Sequence, residues 1–255
     1  MTPSHHIALS RPLPGNFHVP DAEIRTGPDR GFDDRETLIE FMSGAHALVS
    51  WVSERIDEDF LDRVGDQLRV VSNFAVGYDN IDVSACAQRG VAVTNTPDAV
   101  TEGTADMAWT LILAASRRLH EADTFARTGE WARGGILGPA EFIGQSLAGR
   151  TLIIVGAGRI GYATALRSIG WGMRILYVAR ERKPTFEFAP LNGRKVDLDE
   201  GLSEADVVSI HTPLTDQTRR LIGKEQLARM KETAVLINTA RGPVVDERAL
   251  IDALR

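Results

Sequence analysis

The sequence has one cysteine among its 255 residues and no long apolar run, and each shortage excludes a class of protein. Cys86 alone cannot form an intramolecular disulfide, which is typical of a reducing compartment and predicts a cytoplasmic location. No basic side chains cluster around Cys86, so we expect a buried structural thiol rather than a nucleophile. No apolar segment is long enough to span a membrane. The first residues also lack the charged-then-apolar pattern of a signal peptide.

An excess of positive charge is missing as well. The formal net charge is −6, with acidic and basic residues interspersed, so the chain lacks the basic field that nucleic-acid binding requires. The content of 43% hydrophobic and 25% charged residues is typical of a globular protein. We find no metal-ligand spacing, no nucleophile motif and no internal repeat, and we therefore expect no nucleic-acid, membrane or metal partner.

Helix and strand patterns alternate along the first hundred residues, which predicts an α/β fold with a largely parallel sheet. Residues 11–34 are rich in proline, glycine and charge and are interpreted as a loop. The predicted strands cover residues 4–10, 46–51, 68–73 and 91–95, and the predicted helices cover 34–44, 57–65 and 81–88, the last entered at Asp79 and Asn80. We place a domain boundary near 97–101, between domains 1–100 and 101–255.

The strongest helical pattern covers residues 101–119. Thr101 is predicted to cap this helix, while Thr104 near its start suits either a ligand contact or capping. One apolar face at helical spacing predicts core packing and comprises Ala105, Ala108, Trp109, Ile112, Leu113, Ser116 and Leu119. A Gly-rich stretch at 129–150 follows. Loops of this length are uncommon unless they have a function, so we expect either a functional loop or an arm that contacts another chain. Its scattered apolar residues are Trp131, Ile136, Leu137, Phe142 and Ile143.

A glycine motif follows a strand pattern at Thr151–Val155. Gly156, Gly158 and Gly161 have the G-x-G-x-x-G spacing, and a helical pattern comes next. The first glycine permits a tight turn, the second lets a pyrophosphate approach the backbone, and the third allows close helix–strand packing. An ordinary glycine turn is the alternative, but the strand–turn–helix context favours dinucleotide binding.

The next strand pattern, at 174–183, ends without the acidic residue that holds the ribose of NAD. Residues 178–179 occupy that place, and Arg180, Glu181, Arg182 and Lys183 follow. Arginine or lysine at this place can bind the 2′-phosphate of NADP. A solvated charged turn is the alternative, but the missing acid and the cations together favour NADP.

Three further positions each have a functional and a structural interpretation. The loop at Gly77 can turn its amides toward an anion or can be an ordinary β–α turn. His211 follows a strand pattern at 205–215, where ligands lie in open α/β sheets, although a lone histidine is more often structural. Arg241 follows the strand pattern that begins at residue 233. It suits either a substrate carboxylate or a surface turn.

These residues lie in segments that resemble the D-isomer-specific 2-hydroxyacid dehydrogenase family, most closely its glyoxylate/hydroxypyruvate reductases. The resemblance extends from about His46 to the last residue, whereas residues 1–45 match loosely. The segments that carry it include NFAVGYDNIDVSACAQRGVAVTNTP, VGAGRIG, HTPLT and NTARGPVVDE. In combination they are far more specific than any one of them.

The resemblance implies two Rossmann-like domains with a cleft between them, and a homodimer formed through residues 101–150. It implies that the amides of Val76 and Gly77 hold the carboxylate of a small 2-oxo acid. Arg241 would bind that carboxylate and polarise the carbonyl for hydride transfer from NADP, with NAD possible. The implied cofactor-binding residues are Thr104, Gly156, Gly158, Arg159, Ile160, Gly161, Arg180, Glu181, Arg182, His211, Pro213, Thr239, Ala240 and Arg241.

One departure from the family pattern concerns the proton donor. In the family a glutamate and a histidine follow the arginine, and the histidine protonates the developing alkoxide, but this chain ends at Arg255 before both. We expect a chain truncated at its C-terminal end, with an incomplete cofactor domain and a first domain without its return helix. General acid catalysis is worth about 10²–10⁴-fold, so we expect this chain to be inactive alone. The alternative is a non-catalytic dinucleotide-binding sensor or corepressor-like protein.

Overall fold

The computed structural model describes residues 5–15, 18–134, 137–138 and 140–255. The chain separates into two compact units, residues 1–99 and 100–255. The functional roles that we predicted for domains 1–100 and 101–255 stay predictions. Within the described residues, no helix is long and apolar enough to cross a membrane.

The first unit is built on a five-stranded sheet in which every pairing is parallel, with strand order β2-β1-β3-β4-β5. Its elements are β1 (His5–Leu9), β2 (Ala22–Thr26), α1 (Arg35–Met42), β3 (Ala47–Ser50), α2 (Glu58–Val64), β4 (Val70–Asn73), α3 (Val83–Gln88) and β5 (Ala92–Thr94). The helices pack on the sheet through a buried core that includes Met42, Leu48, Phe60 and Val71.

Two predictions for this unit are wrong. The segment 11–34 contains β2, because its hydrogen bonds to β1 override a composition that is typical of a loop. Helix α3 is capped by Asp82, whose carboxylate accepts from the Ala85 amide at 2.9 Å, and not by Asp79 or Asn80. The first predicted strand forms from His5 on, and Ser4 lies outside the described residues.

Cys86 is a structural residue, as predicted. It is fully buried in the core of the first unit, among residues of α2, α3 and β4. Burial raises the pKa of its thiol, which disfavours the reactive thiolate. The sequence-based interpretation of a core thiol is therefore confirmed.

The second unit holds another five-stranded parallel sheet, with strand order β10-β9-β6-β7-β8. Its strands are β6 (Thr151–Val155), β7 (Arg174–Val178), β8 (Arg194–Lys195), β9 (Val207–Ile210) and β10 (Val235–Asn238). Its helices are α4 (Thr101–Ser116), α5 (Leu119–Arg127), α6 (Glu130–Gly134), α7 (Arg159–Arg167), α8 (Pro184–Glu187), α9 (Leu198–Glu204), α10 (Lys224–Arg229) and α11 (Glu247–Ala253). Every residue of β6 is buried, as expected for a parallel strand covered on both faces. The predicted α/β class with two parallel sheets is confirmed.

The long helix is shorter than predicted. Helix α4 ends at Ser116, and Arg118 adopts a left-handed backbone with φ of 52° before α5 begins. Leu119 therefore leaves the apolar face and is 57% exposed, whereas Ile112 is fully buried. The cap prediction is also wrong, because Val100 occupies the N-cap and the buried Thr101 hydroxyl has no partner among the described residues.

The segment 129–150 contains a helix that the prediction missed. Helix α6 places Trp131 at 56% exposure, with its ring 6.2 Å from that of Phe125 on α5. The ring of Phe142 also packs against that of Phe125, at 5.1 Å between centroids. Ile136, one of the apolar residues predicted for this arm, lies outside the described residues.

Candidate active site

The turn between β6 and α7 can be built only with glycine at its first and third positions. Gly156 has φ of 104°, and a Cβ there would lie 2.7 Å from the backbone carbon of His211. A Cβ on Gly161 would lie 2.3 Å from the carbonyl oxygen of Gly156. These contacts fix the turn against the strand end and match the packing roles predicted for the two glycines.

Gly158 is different, because a Cβ built on it would meet no atom of the described residues within 4 Å. It occupies the N-cap of α7, where no side chain caps the helix. The first intrahelical bond runs from the Tyr162 amide to the Gly158 carbonyl, so the first turn, which contains Arg159 and Ile160, directs amide groups at the space beyond. An open approach to bare backbone at a helix N-terminus fits a pyrophosphate.

His211 lies beside this turn at the end of β9. Its amide donates to the Val155 carbonyl at 2.8 Å, and its Nε2 lies 2.8 Å from the hydroxyl of the fully buried Ser209. Burial lowers the pKa of His211 to about 4, so the imidazole is neutral at physiological pH. Its contact to Ser209 and its neutrality favour a positioning role over that of a phosphate-binding cation. The neighbouring Pro213 is exposed.

Two buried hydroxyls at the strand ends have no partner among the described residues. They belong to Thr212, after β9, and Thr239, after β10. Buried polar groups are normally hydrogen-bonded, so two orphaned hydroxyls at adjacent strand ends suit a polar ligand. Thr239 is a predicted cofactor-binding residue, whereas Thr212 was missed because a threonine after a strand has no distinctive spacing.

Arg241 is presented by a turn that Asn238 holds. The Asn238 side chain accepts from the Ala240 amide at 3.0 Å and donates to the Arg241 carbonyl at 2.9 Å. The half-buried Arg241 side chain donates from Nη1 to the Ala240 carbonyl at 3.0 Å. The sequence-based interpretation overlooked Asn238, whose place at the end of a strand was the available signal.

The cationic segment after β7 forms the loop to α8. Arg180, Glu181 and Arg182 are exposed in this loop, and Lys183 is partly buried. Arg182 donates to Glu187 of α8, with a shortest distance of 2.6 Å. Arg180 has no side-chain partner among the described residues. The cations predicted to recognise a 2′-phosphate are thus brought together, but one of them is already ion-paired.

In the first unit, the loop at Val76 and Gly77 is held by its carbonyl groups. The Asn73 amide donates to the Gly77 carbonyl and the Asn95 amide to the Val76 carbonyl, both at 2.8 Å. Asn80 ties the same loop to the end of β3 by donating to the Trp51 carbonyl at 3.1 Å. The Val76 and Gly77 amides have no acceptor among the described residues, which leaves two adjacent donors for an anion.

Thr104 lies in the first turn of α4, where its amide donates to the Val100 carbonyl at 2.8 Å, and is half-buried.

A separate concavity of about 1300 Å³ lies along β10, α10 and α11 and contains none of the predicted site residues. We assign the site to the strand ends and not to this groove, because it is the strand ends that collect the glycine turn and the orphaned hydroxyls. Among the described residues no cluster of histidine, cysteine or acidic side chains is arranged to hold a metal.

The second unit thus has the features of a dinucleotide-binding protein of the Rossmann type. Residues 109–255 match the model of the D-isomer specific 2-hydroxyacid dehydrogenase, NAD binding domain. The chain therefore belongs to the D-isomer specific 2-hydroxyacid dehydrogenase family, which confirms the resemblance drawn from the sequence. Its cofactor is a nicotinamide dinucleotide, and the residues present at the glycine turn fit that group.

Known proteins similar to this chain cover most of it. A glyoxylate reductase of Thermococcus gammatolerans is 50% identical over 234 residues, which are 91% of this chain and 70% of that protein. The crystal structure of a Thermus thermophilus protein has a TM-score of 0.87 at 40% identity, covering 98% of this chain and 78% of the other. A glyoxylate reductase structure from Paecilomyes thermophila has a TM-score of 0.84 at 30% identity, covering 99% and 78%.

Proposed function

We propose that the chain is an NADPH-preferring reductase of a small 2-oxo acid, glyoxylate or hydroxypyruvate. The observation that carries the proposal is the pair of amides at Val76 and Gly77, whose carbonyls are engaged by asparagine side chains while the amides have no described acceptor. A small carboxylate suits two adjacent amide donors. The names of the similar glyoxylate reductases support this choice of substrate.

The preference for NADP rests on the loop after β7. Val178 ends the strand, Arg180 follows it without a described side-chain partner, and no acidic residue stands at the strand end. An acid there would hold the ribose hydroxyls of NAD and repel a 2′-phosphate, whereas a guanidinium attracts the phosphate. The remaining predicted cofactor contacts, from Thr104 to Arg241, belong to the same proposal.

The proposed chemistry assigns one task to each group of residues. A reduced nicotinamide, when bound, supplies the hydride. The Val76 and Gly77 amides bind the substrate carboxylate, and the Arg241 guanidinium pairs with it and polarises the carbonyl that is reduced. His211 stays neutral because its pKa is near 4, so it orients groups at the turn without adding charge. The predicted inactivity of the 255-residue chain stays a prediction.

The homodimer through residues 101–150 also stays a proposal, supported by the exposed apolar side chains of this region. Leu119, Trp131 and Ile143 are 57%, 56% and 62% exposed. Exposed large side chains that occur together are typical of an interaction surface. We expect Trp131→Arg to shift the chain toward a monomer in light scattering, whereas Ile169→Arg, 48% exposed outside this region, serves as the control.

Nucleotide titration tests the cofactor proposal without any turnover. We expect NADPH to bind the chain about tenfold more tightly than NADH, as judged by nucleotide fluorescence. Arg180→Gln should weaken NADPH binding and leave NADH binding unchanged. Arg229→Gln, which removes an exposed arginine on α10, is the matched control. Tighter binding of NADH would contradict the proposed preference.

Oxidation of NADPH in the presence of glyoxylate tests the reaction. Turnover that Arg241→Gln abolishes would support a reductase, and it would contradict the predicted inactivity of this chain. Binding of NADPH without turnover agrees with that inactivity and also with the sensor or corepressor-like alternative. Binding of glyoxylate by calorimetry then separates the two, because the carboxylate site is expected only for the reductase.

The cytoplasmic location stays a prediction from the single cysteine.

A further inference from the structure

The loop that carries the cations is anchored by a buried tyrosine. Tyr177 of β7 is fully buried, and its ring lies 4.9 Å from that of Phe186 on α8. Its hydroxyl accepts from the Lys183 amide at 2.9 Å and donates to Glu187 Oε1 at 2.6 Å. The tyrosine therefore holds the far end of the loop and fixes one oxygen of the Glu187 carboxylate.

Glu187 in turn engages Arg182. Arg182 Nε donates to both carboxylate oxygens at 3.0 Å, and Nη2 donates to Oε2 at 2.6 Å. The hydrogen bonds from Arg182 and then from Tyr177 lower the pKa of Glu187, so the carboxylate is ionised at physiological pH. The positive charge of Arg182 is thus matched by a negative charge within the chain.

Arg180 is in the opposite situation. It is exposed, and its side chain has no partner among the described residues, while its carbonyl accepts from Lys195 Nζ at 3.3 Å. An anion can pair with Arg180 without displacing another carboxylate. An anion at Arg182 finds Nε and Nη2 already directed at Glu187 and is repelled by the Glu187 charge.

We propose that Glu187 is a specificity-determining residue that restrains the preference for NADP by occupying Arg182. Arg180 then carries the recognition of the 2′-phosphate, and Arg182 contributes fully only when the charge of Glu187 is removed. The inference rests on the proposed function, since it concerns the same nucleotide site. Its consequence is that the wild-type chain discriminates less strongly between NADPH and NADH than its three cations suggest.

The test is the affinity of the Glu187→Gln variant of the 255-residue chain for NADPH and NADH. Glutamine keeps an oxygen for the Tyr177 hydroxyl and removes the charge. We expect NADPH to bind about twofold to fivefold more tightly, the size of one exposed ion pair, with NADH affinity unchanged. The double variant Glu187→Gln/Arg182→Gln should return the NADPH affinity to the wild-type value.

A matched control is Glu200→Gln, which removes a carboxylate from another exposed pair, with Arg194 in the same unit. It should leave both affinities unchanged. A second measurement uses the Arg180→Gln background, where adding Glu187→Gln should restore part of the lost NADPH affinity because Arg182 is released. Thermal melting verifies that each variant is folded.

Unchanged or weaker NADPH binding by Glu187→Gln would overturn the inference while leaving the proposed function in place. A weaker affinity would mean that Glu187 positions Arg182 for the phosphate instead of withholding it. Failure of the wild-type chain to bind either nucleotide would overturn the proposed function and the inference together. The two failures are therefore distinguishable in one set of titrations.

Discussion

Two glycine turns, one in each unit, present backbone amides after a parallel strand, but they are held in different ways. The turn at Gly77 is held from outside, because Asn73 and Asn95 donate to its carbonyl groups. The turn at Gly156 is held by close backbone packing, with Gly161 placed against the Gly156 carbonyl. The first turn therefore depends on particular side chains, and the second depends on the absence of side chains.

Adding a methyl group to the second turn should break it. In Gly161→Ala the Cβ would lie 2.3 Å from the Gly156 carbonyl oxygen. Because this contact is too short and the oxygen belongs to the backbone, the turn itself would have to shift. We expect the free energy of unfolding to fall by about 1–3 kcal/mol or more in urea titrations. Gly158→Ala is the control, since its Cβ would meet nothing within 4 Å in the described part of the chain.

The control variant also separates folding from binding. Gly158→Ala should unfold within about 0.5 kcal/mol of the wild type, because its backbone has ordinary dihedral angles and open space around it. It should nevertheless lose NADPH affinity, since the methyl group occupies the approach to the helix N-terminus. A Gly158→Ala variant that binds NADPH normally would contradict the pyrophosphate site.

Removing a side chain should break the first turn. Asn73 is fully buried and accepts from Ser50 Oγ at 3.1 Å while donating to the Gly77 carbonyl. Asn73→Ala leaves these groups without partners, so we expect a loss of about 1–3 kcal/mol in the free energy of unfolding. Asn95→Ala, which removes one bond to Val76, should cost about 0.5–1.5 kcal/mol. Equal losses of unfolding free energy in the two variants would contradict the conclusion that Asn73 contributes more to this turn than Asn95.

A titratable group in each unit has a pKa that burial shifts, downward for His211 and upward for Glu54. Burial lowers the pKa of His211 to about 4, below its unfolded value of 6.5. The unfolded chain therefore binds the proton more readily, and the stabilisation present above about pH 6.5 is lost as the pH falls toward about 4. We expect His211→Asn to remove this loss in urea titrations.

Glu54 of the first unit should behave in the opposite direction. Burial raises its pKa, against the opposing hydrogen bond from the Trp51 amide and the charge of Arg11. The folded chain therefore holds the proton more tightly, and the associated stability is full below the unfolded pKa and lost as pH rises through the folded pKa. Glu54→Gln should flatten this decline. If the stability of the variant falls with rising pH as much as that of the wild type, other groups cause the fall.

Sequence reasoning succeeded where a local pattern decides the structure. The run Thr151–Val155 followed by Gly156, Gly158 and Gly161 predicted strand, turn and helix correctly, because buried strands and tight turns have few compatible residues. It failed where a tertiary contact overrides composition. Strand β2 forms in a predicted loop by pairing with β1, and the helix predicted over 101–119 breaks at Arg118.

For the candidate site, the sequence by itself determined the chemical types and their order: glycines after β6, cations after β7, His211 after β9 and Arg241 after β10. Those positions follow from local pattern, since each lies beside a strand that the apolar residues define. The tertiary structure alone decided which groups are engaged. Glu187 pairs with Arg182, Ser209 contacts His211, and Asn73 donates to the Gly77 carbonyl. These partners are only two to five residues apart, but sequence spacing does not fix the direction of each side chain, which the folded backbone decides.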